Sequence, residues 1–499
     1  MRDCRPRLFA ATFVVSLFLA PSAAAQAGLG HLGDASLAPR GMFRLQAVAA
    51  WTRYDARFAS SGIAPLGGPF SADSFGVRQL PRLAVAESLT REASRVPFSL
   101  TLGQSRLDAT AREEMFPLAL EYGLTDRISV GVVVPFVRKR ITVQFRLDTA
   151  GGFTANAGPN RHRTDPSAEQ NNVTLQAQFA SAAQQLQQRL SDCQANPAAP
   201  GCAALLPRAA EAQALIAESQ TLAGELAALY GSATDPGSAF VPTGGSAAQL
   251  GIEARILAIS ARYRDLLASS VDLITVLPLG AGGPAGVAQV QDFLFAEELR
   301  DTIASRERVG IGDVEVGLAM RVFSRQPSEP GGLAAQLTVA GAVRLPTGSD
   351  SVLSELVDMR LGDGTTGVQS RATLDVARGR FGMLASGYYH QAFGGADDDG
   401  APLARTDART VEVALAPRWH VSGPLAIHAA YSLRSSDVTG SDQLVGGGIS
   451  FSGLRFTPAG RTPPIEMRFT HLESISGDDG RPKMFRDQLE VRIYYRLKR

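Results

Sequence analysis

Six histidines, at positions 31, 162, 390, 420, 428 and 471, are scattered along a chain of 499 residues. His420 and His428 come nearest to each other, on either side of residues 421–424. A structural zinc asks for four N, S or O donors converging on one point. Two imidazoles alone do not supply that, so the pair reads as polar lining and no metal site is expected. Tyr388-Tyr389-His390 brings hydroxyl and imidazole groups to one segment end, ahead of the acidic run Asp397-Asp398-Asp399. A second run, Asp478-Asp479, precedes Gly480. Crowded carboxylates can hold hard cations such as Ca²⁺, but acid-Gly runs are also ordinary solvated turns, which is the reading adopted. No Gly-x-Ser-x-Gly elbow is present, and none of the lysines (Lys139, Lys483, Lys498) follows a glycine. A hydrolase elbow and a Walker phosphate loop are both excluded. The chain is expected to be no enzyme and to need no cofactor.

Composition narrows the class. Charged residues make up 19% of the chain, below the roughly 25% of an average soluble protein. Lys plus Arg number 49 against 48 Asp plus Glu, so the basic excess of a nucleic-acid binder is missing. The first seven residues carry three arginines, Leu8 to Ala20 is largely apolar, and Ala23 and Ala25 stand at Ala-x-Ala spacing. That pattern predicts a secretory signal over residues 1–25. Beyond it no apolar run approaches the ~20 residues a membrane helix needs. A β-barrel escapes that test, because its strands alternate.

The elements that must position any site alternate with period two. Leu118, Leu120, Tyr122 and Leu124 share one face, then Thr125-Asp126-Arg127 turns, then Ile128, Val130, Val132, Val134 and Phe136 share a face again. This is a hairpin signal. The same reading along the chain predicts strands at 43–57, 113–124, 127–147, 310–323, 333–346, 368–378, 381–393, 408–420, 425–435, 441–452, 463–474 and 485–497. Short connections (125–127, 379–380, 421–424) alternate with long ones (58–112, 148–309, 347–367, 394–407, 475–484). Short periplasmic turns and long outer loops mark a transmembrane barrel. The fold expected is an all-β transmembrane antiparallel β-barrel of about 12 strands. Residues 26–147 and 310–499 supply the strands.

Residues 148–309 break the pattern and are expected to form an extracellular helical insert. Leu175, Phe179, Leu186 and Leu190 recur at helical spacing in 166–192, as do Leu215, Leu222, Leu226 and Leu229 in 203–230. Further helices read at 246–269 and 287–306. Such a hairpin admits coiled-coil packing. Cys193 and Cys202 lie between the first two helices, and an exported chain meets an oxidising compartment. A disulfide between them is expected.

Alternation assigns a set of charged residues to the inner face of the barrel. They are Glu121, Asp313, Glu315, Arg321, Arg344, Arg371, Asp375, Glu412, Arg418, Arg434, Glu466, Arg468, Glu490, Arg492 and Arg496. On the lipid face near mid-membrane each Arg would cost about 2–4 kcal/mol. Inside, guanidinium forks can pair with carboxylates. The mixed signs suit interlocking pairs, which either line water or fill a closed barrel. Gly131, Gly317, Ala319, Ala340 and Ala342 leave volume on or near that wall, which favours lining.

The run Leu120-Glu121-Tyr122-Gly123-Leu124-Thr125-Asp126-Arg127-Ile128-Ser129-Val130-Gly131, with Val134-Pro135-Phe136, resembles a group of bacterial outer-membrane proteins. So do Gly310-Ile311-Gly312-Asp313 and Leu345-Pro346-Thr347-Gly348. The group is the outer-membrane porins associated with meta-cleavage phenol-degradation pathways. The resemblance covers roughly 110–147 and 310–497 and leaves out the helical insert. It implies about twelve strands and passage of small hydrophobic or aromatic solutes. The expected location is the outer membrane of a Gram-negative bacterium, among lipid and lipopolysaccharide. The expected function is a passive channel. The alternative is a non-conducting scaffold or adhesion protein whose helical insert binds a protein partner.

Overall fold

A computed structural model describes residues 35–149, 154–298, 303–326, 329, 331–348, 356–357, 359–362, 364–393, 409–437, 440–453 and 465–496. The predicted signal and the run Asp397-Asp398-Asp399 lie outside the described residues. Among the described residues twelve strands form one closed ladder. They are β1 (Phe43–Ala59), β2 (Gln104–Gly123), β3 (Ile128–Asp148), β4 (Arg306–Ile311 continuing as Val314–Arg325), β5 (Leu333–Leu345) and β6 (Thr366–Arg378). There follow β7 (Phe381–Phe393), β8 (Arg409–His420), β9 (Leu425–Ser436), β10 (Gly440–Ser452), β11 (Ile465–Gly477) and β12 (Pro482–Tyr495). Each strand pairs with the next, and β12 returns to β1 in antiparallel register from Phe43↔Tyr495 to Arg57↔Pro482. Closure leaves no row of unpaired backbone groups, which hydrocarbon would not tolerate.

Every strand presents an exposed large apolar side chain to the outside. Leu45, Leu120, Val130, Leu318, Val343, Val368, Met383, Val413, Ile427, Ile449, Phe469 and Ile493 belong in order to β1 through β12. A continuous apolar skin of this kind is a lipid-facing surface. Aromatic pairs mark both of its rims. Phe43 and Tyr122 sit with ring centroids 4.8 Å apart near the short turns. Trp51 and Phe116 meet edge to face at 6.2 Å further up. The barrel is a transmembrane one.

Local chemistry explains where the strands depart from the predicted ones. β4 breaks at Gly312-Asp313, where Gly312 N–H donates to the carbonyl of Pro135 on β3 at 2.8 Å. Proline has no N–H to return, so the ladder is interrupted there. The connection 475–484, expected to be long, is only the turn 478–481. Asp478 closes it: its carboxylate accepts from Ser441 N–H at 2.6 Å and its own N–H donates to Ser441 O at 3.0 Å. That carboxylate therefore ties the end of the ladder. Gly446 and Gly448 of β10 lie so close to β11 that an added Cβ would meet the carbonyls of His471 and Phe469. Gly446→Ala is expected to cost about 1–3 kcal/mol by overpacking, read as a lower melting temperature.

A second compact unit comprises residues 67–107 and 145–302. Its helices are α1 (Leu83–Ser94), α2 (Pro166–Ala195), α3 (Cys202–Leu205), α4 (Ala209–Tyr230), α5 (Ala247–Leu266) and α6 (Val287–Ala296). The predicted leucines of α2 and α4 are buried together, with Ile252, Ile256 and Tyr263 of α5 completing one core. The connection 58–112 contributes α1, which sequence reading missed; it packs on α4 and α5. The helix expected over 287–306 stops at Ala296, because Arg306 already belongs to β4. Asp165 caps α2 by accepting from Ser167 N–H at 2.9 Å. The Arg161 guanidinium beside it, and then that N–H, hold its carboxyl below the usual range. A carboxyl shifted this way supports the fold at neutral pH and loses that contribution as pH falls through its lowered value.

Cys193 and Cys202 form the expected disulfide, with Cα atoms 5.1 Å apart. A loop this short is worth about 2–3 kcal/mol in the chain-entropy account. The double variant Cys193→Ser, Cys202→Ser is expected to lower the melting temperature of the helical unit. The barrel's resistance to detergent denaturation on unboiled gels should stay unchanged.

Candidate functional site

Of the charged residues picked out by alternation, all but Asp313 and Arg496 lie within strands at inner-face positions, and most are tied into ion pairs. Arg344, only 2% exposed, donates from Nε and Nη2 to Glu315 Oε1 at 3.1 and 2.9 Å. Arg418 pairs with Asp375. Arg492 Nε and Gln46 Nε2 both donate to Glu490 Oε1, at 2.6 and 2.7 Å. Arg468 lies 3.8 Å from the same carboxylate and Arg492 lies 3.8 Å from Glu466. Tyr494 donates its hydroxyl proton to Glu466 at 2.9 Å. Glu412 accepts from Ser432 Oγ at 2.9 Å. Asp313 is buried and accepts from Gly348 N–H at 2.9 Å, fixing the turn after β5. Arg371 places its guanidinium 5.8 Å from the centroid of the Tyr388 ring. Arg321 is half-buried without an ion pair among the described residues, and Arg496 is exposed just past the end of β12.

A further cluster lies toward the end away from the short turns. Arg434 donates to both oxygens of Asp442, at 3.0 and 2.6 Å, and Arg481 Nη2 lies 3.1 Å from the same carboxylate. Arg486 donates to Thr52 Oγ1 at 2.9 Å. Asp442, Arg486, Glu113 and Lys139 were not picked out from the sequence, although all four are buried on the inner face. The alternation that selected Glu121 and Glu490 extends to them: Glu113 is in phase with Glu121, and Arg486 with Glu490.

Nearer the short turns the lumen holds a strap that carries no strand pattern. Ala35, Leu37 and Ala38, just before β1, are buried. Glu121 accepts from Ala38 N–H at 3.1 Å, and also binds Arg44 and Ser129. Arg44 Nη1 donates to Ser36 O at 2.9 Å, and Thr338 Oγ1 donates to Ala35 O at 2.5 Å. Thus Glu121 anchors a piece of the chain's own backbone inside the barrel.

Beside the strap is a cavity of about 190 Å³. Leu37, Gly131, Gly317, Ala319, Ala340 and Ala342 give it small or apolar walls. Arg44, Glu121, Gln369, Arg371 and Tyr388 supply polar groups. The small residues come from β3, β4 and β5, which can approach closely because no side chain intervenes. Gly317, for instance, lies against Gly341 O and Ala342. On the lipid side the same strip (Gly131, Gly317, Gly341 and Ala342) lines an apolar hollow with Leu120, Val316 and Val343. The barrel wall is therefore thin in side-chain bulk at one place.

His428 Nε2 is 3.1 Å from Thr470 Oγ1, a polar contact within the wall. Among the described residues no group of three His, Cys, Asp or Glu converges as a metal site would require.

No family model and no curated protein matches the chain. Solved structures resemble it at low identity. An outer membrane channel from Pseudomonas putida F1 shares 10% identity at a TM-score of 0.40, covering 94% of this chain and 100% of that one. The Pseudomonas putida toluene transporter TodX shares 11% at a TM-score of 0.23, covering 92% and 90%. The translocator domain of the autotransporter NalP from Neisseria meningitidis shares 6% at 0.29, covering 94% and 92%. At scores of this size the assignment of the fold rests on the closed ladder itself.

Proposed function

We propose that the barrel is an outer-membrane channel for passive passage of small hydrophobic solutes. The observation that carries this reading is the cavity, about 190 Å³ and walled by glycine, alanine and leucine. An apolar cavity of roughly 150 Å³ is enough to take up benzene, so a single aromatic ring fits. The buried ion pairs leave little room for a wide aqueous pore, which argues for a small, apolar cargo over ions or sugars. The likeness of residues 120–131 to barrels of phenol-degradation pathways makes phenols the first solutes to try. In this reading the turns at 124–127, 379–380 and 421–424 face the periplasm, and the connection carrying the helical unit leaves β3 on the outer side. The barrel works without catalysis or a cofactor.

The strap favours a second reading, a non-conducting scaffold whose helical unit binds a protein partner. Uptake separates the two. Cells lacking the barrel should accumulate labelled phenol more slowly than cells carrying it, with uptake of arabinose unchanged. Equal phenol uptake in both strains would leave the scaffold standing. Topology has its own check: a Cys placed at exposed Gln213 should react with an impermeant maleimide on intact cells.

A further inference from the structure

Three arginines stand in a row on the outward face of β1, β2 and β3. Arg53 and Arg112 are direct register partners. Arg138 Nη1 lies 3.7 Å from Glu114. An antiparallel ladder that sets 138 beside 114 sets 140 beside 112, so Arg140 follows Arg112 in the row. Beyond it, Arg140 is the register partner of Glu307 on β4. The side chains of Arg53 and Arg140 are 57% and 60% exposed.

Like charges directly opposite one another destabilise a sheet, and this row places three on consecutive strands. The carboxylates nearby offset only part of it. Asp55 lies 3.4 Å from Arg53. Glu307 is shared, at 2.7 Å from Arg138 and 3.9 Å from Arg140. Arg112, in the middle, makes no ion pair among the described residues. At the other end of the row Phe485, the register partner of Arg53, has the Arg53 guanidinium 5.2 Å from its centroid and the Lys483 ammonium 4.8 Å away.

Height in the membrane gives the row its meaning. Trp51 lies two residues toward the short turns from Arg53, Phe116 four from Arg112, and Phe136 four from Arg140. These exposed aromatics form the upper girdle. Two to four strand residues span roughly 7–13 Å along a strand, which is the step from the acyl boundary to lipid headgroups. Neighbouring strands are about 4.8 Å apart, so one phosphate can sit between two guanidinium forks and be held by both.

We propose that the row Arg53–Arg112–Arg140 docks the phosphate of a phosphorylated lipid in the outer leaflet. The proposal rests on the reading of the barrel as an outer-membrane protein with its short turns in the periplasm. It adds a partner and a site to that reading. The bound phosphate offsets the repulsion built into the sheet, so lipid and barrel stabilise each other.

The test is thermal melting of the full-length protein in a neutral detergent. Three additions are compared: diphosphorylated lipid A, the same lipid with its phosphates removed, and inorganic phosphate. The wild type should melt several degrees higher with diphosphorylated lipid A and be unmoved by the other two. The variant Arg112→Gln, Arg140→Gln should lose most of that shift, whereas Arg112→Lys should keep part of it. Equal shifts in wild type and the double Gln variant would overturn the proposal. So would an equal response to inorganic phosphate, which would make the row a bare anion site, or to the dephosphorylated lipid, which would leave only apolar contact. If the double Gln variant does not fold, Arg53→Gln alone must show the same selective loss. Phenol uptake is scored separately: its absence together with a normal lipid shift would count against the channel and leave the docking row intact.

Discussion

Asp442→Ala lowers the melting temperature of the barrel more than any other single change at its inner wall. Asp442 is 3% exposed and is the shared partner of Arg434 and Arg481. Removing it leaves two guanidinium groups close together inside the wall, with Glu412, the register partner of Arg434 on β8, as the buried carboxylate still beside them. Taking away one partner of a buried pair typically costs about 3–5 kcal/mol, because the remaining charge stays desolvated. The check is the temperature at which the protein stops running as a compact band on unboiled gels. The triple change Arg434→Met, Asp442→Leu, Arg481→Met removes charge and partner together and should recover most of the loss. An Asp442→Ala protein as heat-resistant as wild type would mean that water, and not Asp442, solvates these arginines.

Deleting Ala35–Ala38 raises conductance across a planar bilayer several-fold. These residues fill the lumen beside the cavity, and side chains of the wall hold them: Glu121 takes the Ala38 N–H, Gln336 and Thr338 donate to Ala35 O, Arg44 donates to Ser36 O and Oγ, and Arg492 lies 3.5 Å from Ser36 Oγ. The first strand pair is untouched by the deletion, because the β1–β12 register begins at Phe43. Folding and heat-resistance should therefore survive. Glu121→Ala should show a weaker form of the same effect, because it removes the anchor and leaves the strap. If the deletion variant folds and conducts no better than wild type, the strap is not the obstruction and the ion-paired wall is.

Much of the barrel was legible because alternation is dictated by its surroundings. Val316, Leu318 and Met320 must be apolar to meet lipid, and Glu315 and Arg321 can exist only on the other face. The disulfide was legible because Cys193 and Cys202 close one helical hairpin. Parts governed by single contacts were not legible. The strap residues Ala35 to Arg40 carry no period, and only the partners waiting in the lumen place them. Helix α1 is too short and polar to stand out from a loop, and it holds because Ala93 enters the core formed with α4 and α5 and Leu89 packs against that core. The turn 478–481 looks like a loop in composition, yet Asp478 pins it to Ser441. Pairing partners across the wall were out of reach in the same way. Register joins Glu315 to Arg344, but no spacing in the sequence joins Asp442 to Arg481. The cavity was legible in outline, since Gly131, Gly317, Ala319, Ala340 and Ala342 stood out as missing bulk.

The pairing of Phe43 with Tyr495 sets a condition on how the chain reaches its folded state. The first strand must wait until Pro482–Tyr495 has been made before its partner exists. Until then β1 and whichever strand has formed last each expose a row of unpaired N–H and C=O groups, with an apolar face attached. Such edges recruit other chains, and contacts between distant residues form slowly. The helical unit, stitched by its own disulfide and local contacts, faces no such delay and can be complete while the barrel is still open. While β1 waits, its open edge is the place where association with other chains begins, so aggregates formed during slow assembly should contain chains whose disulfide is already intact.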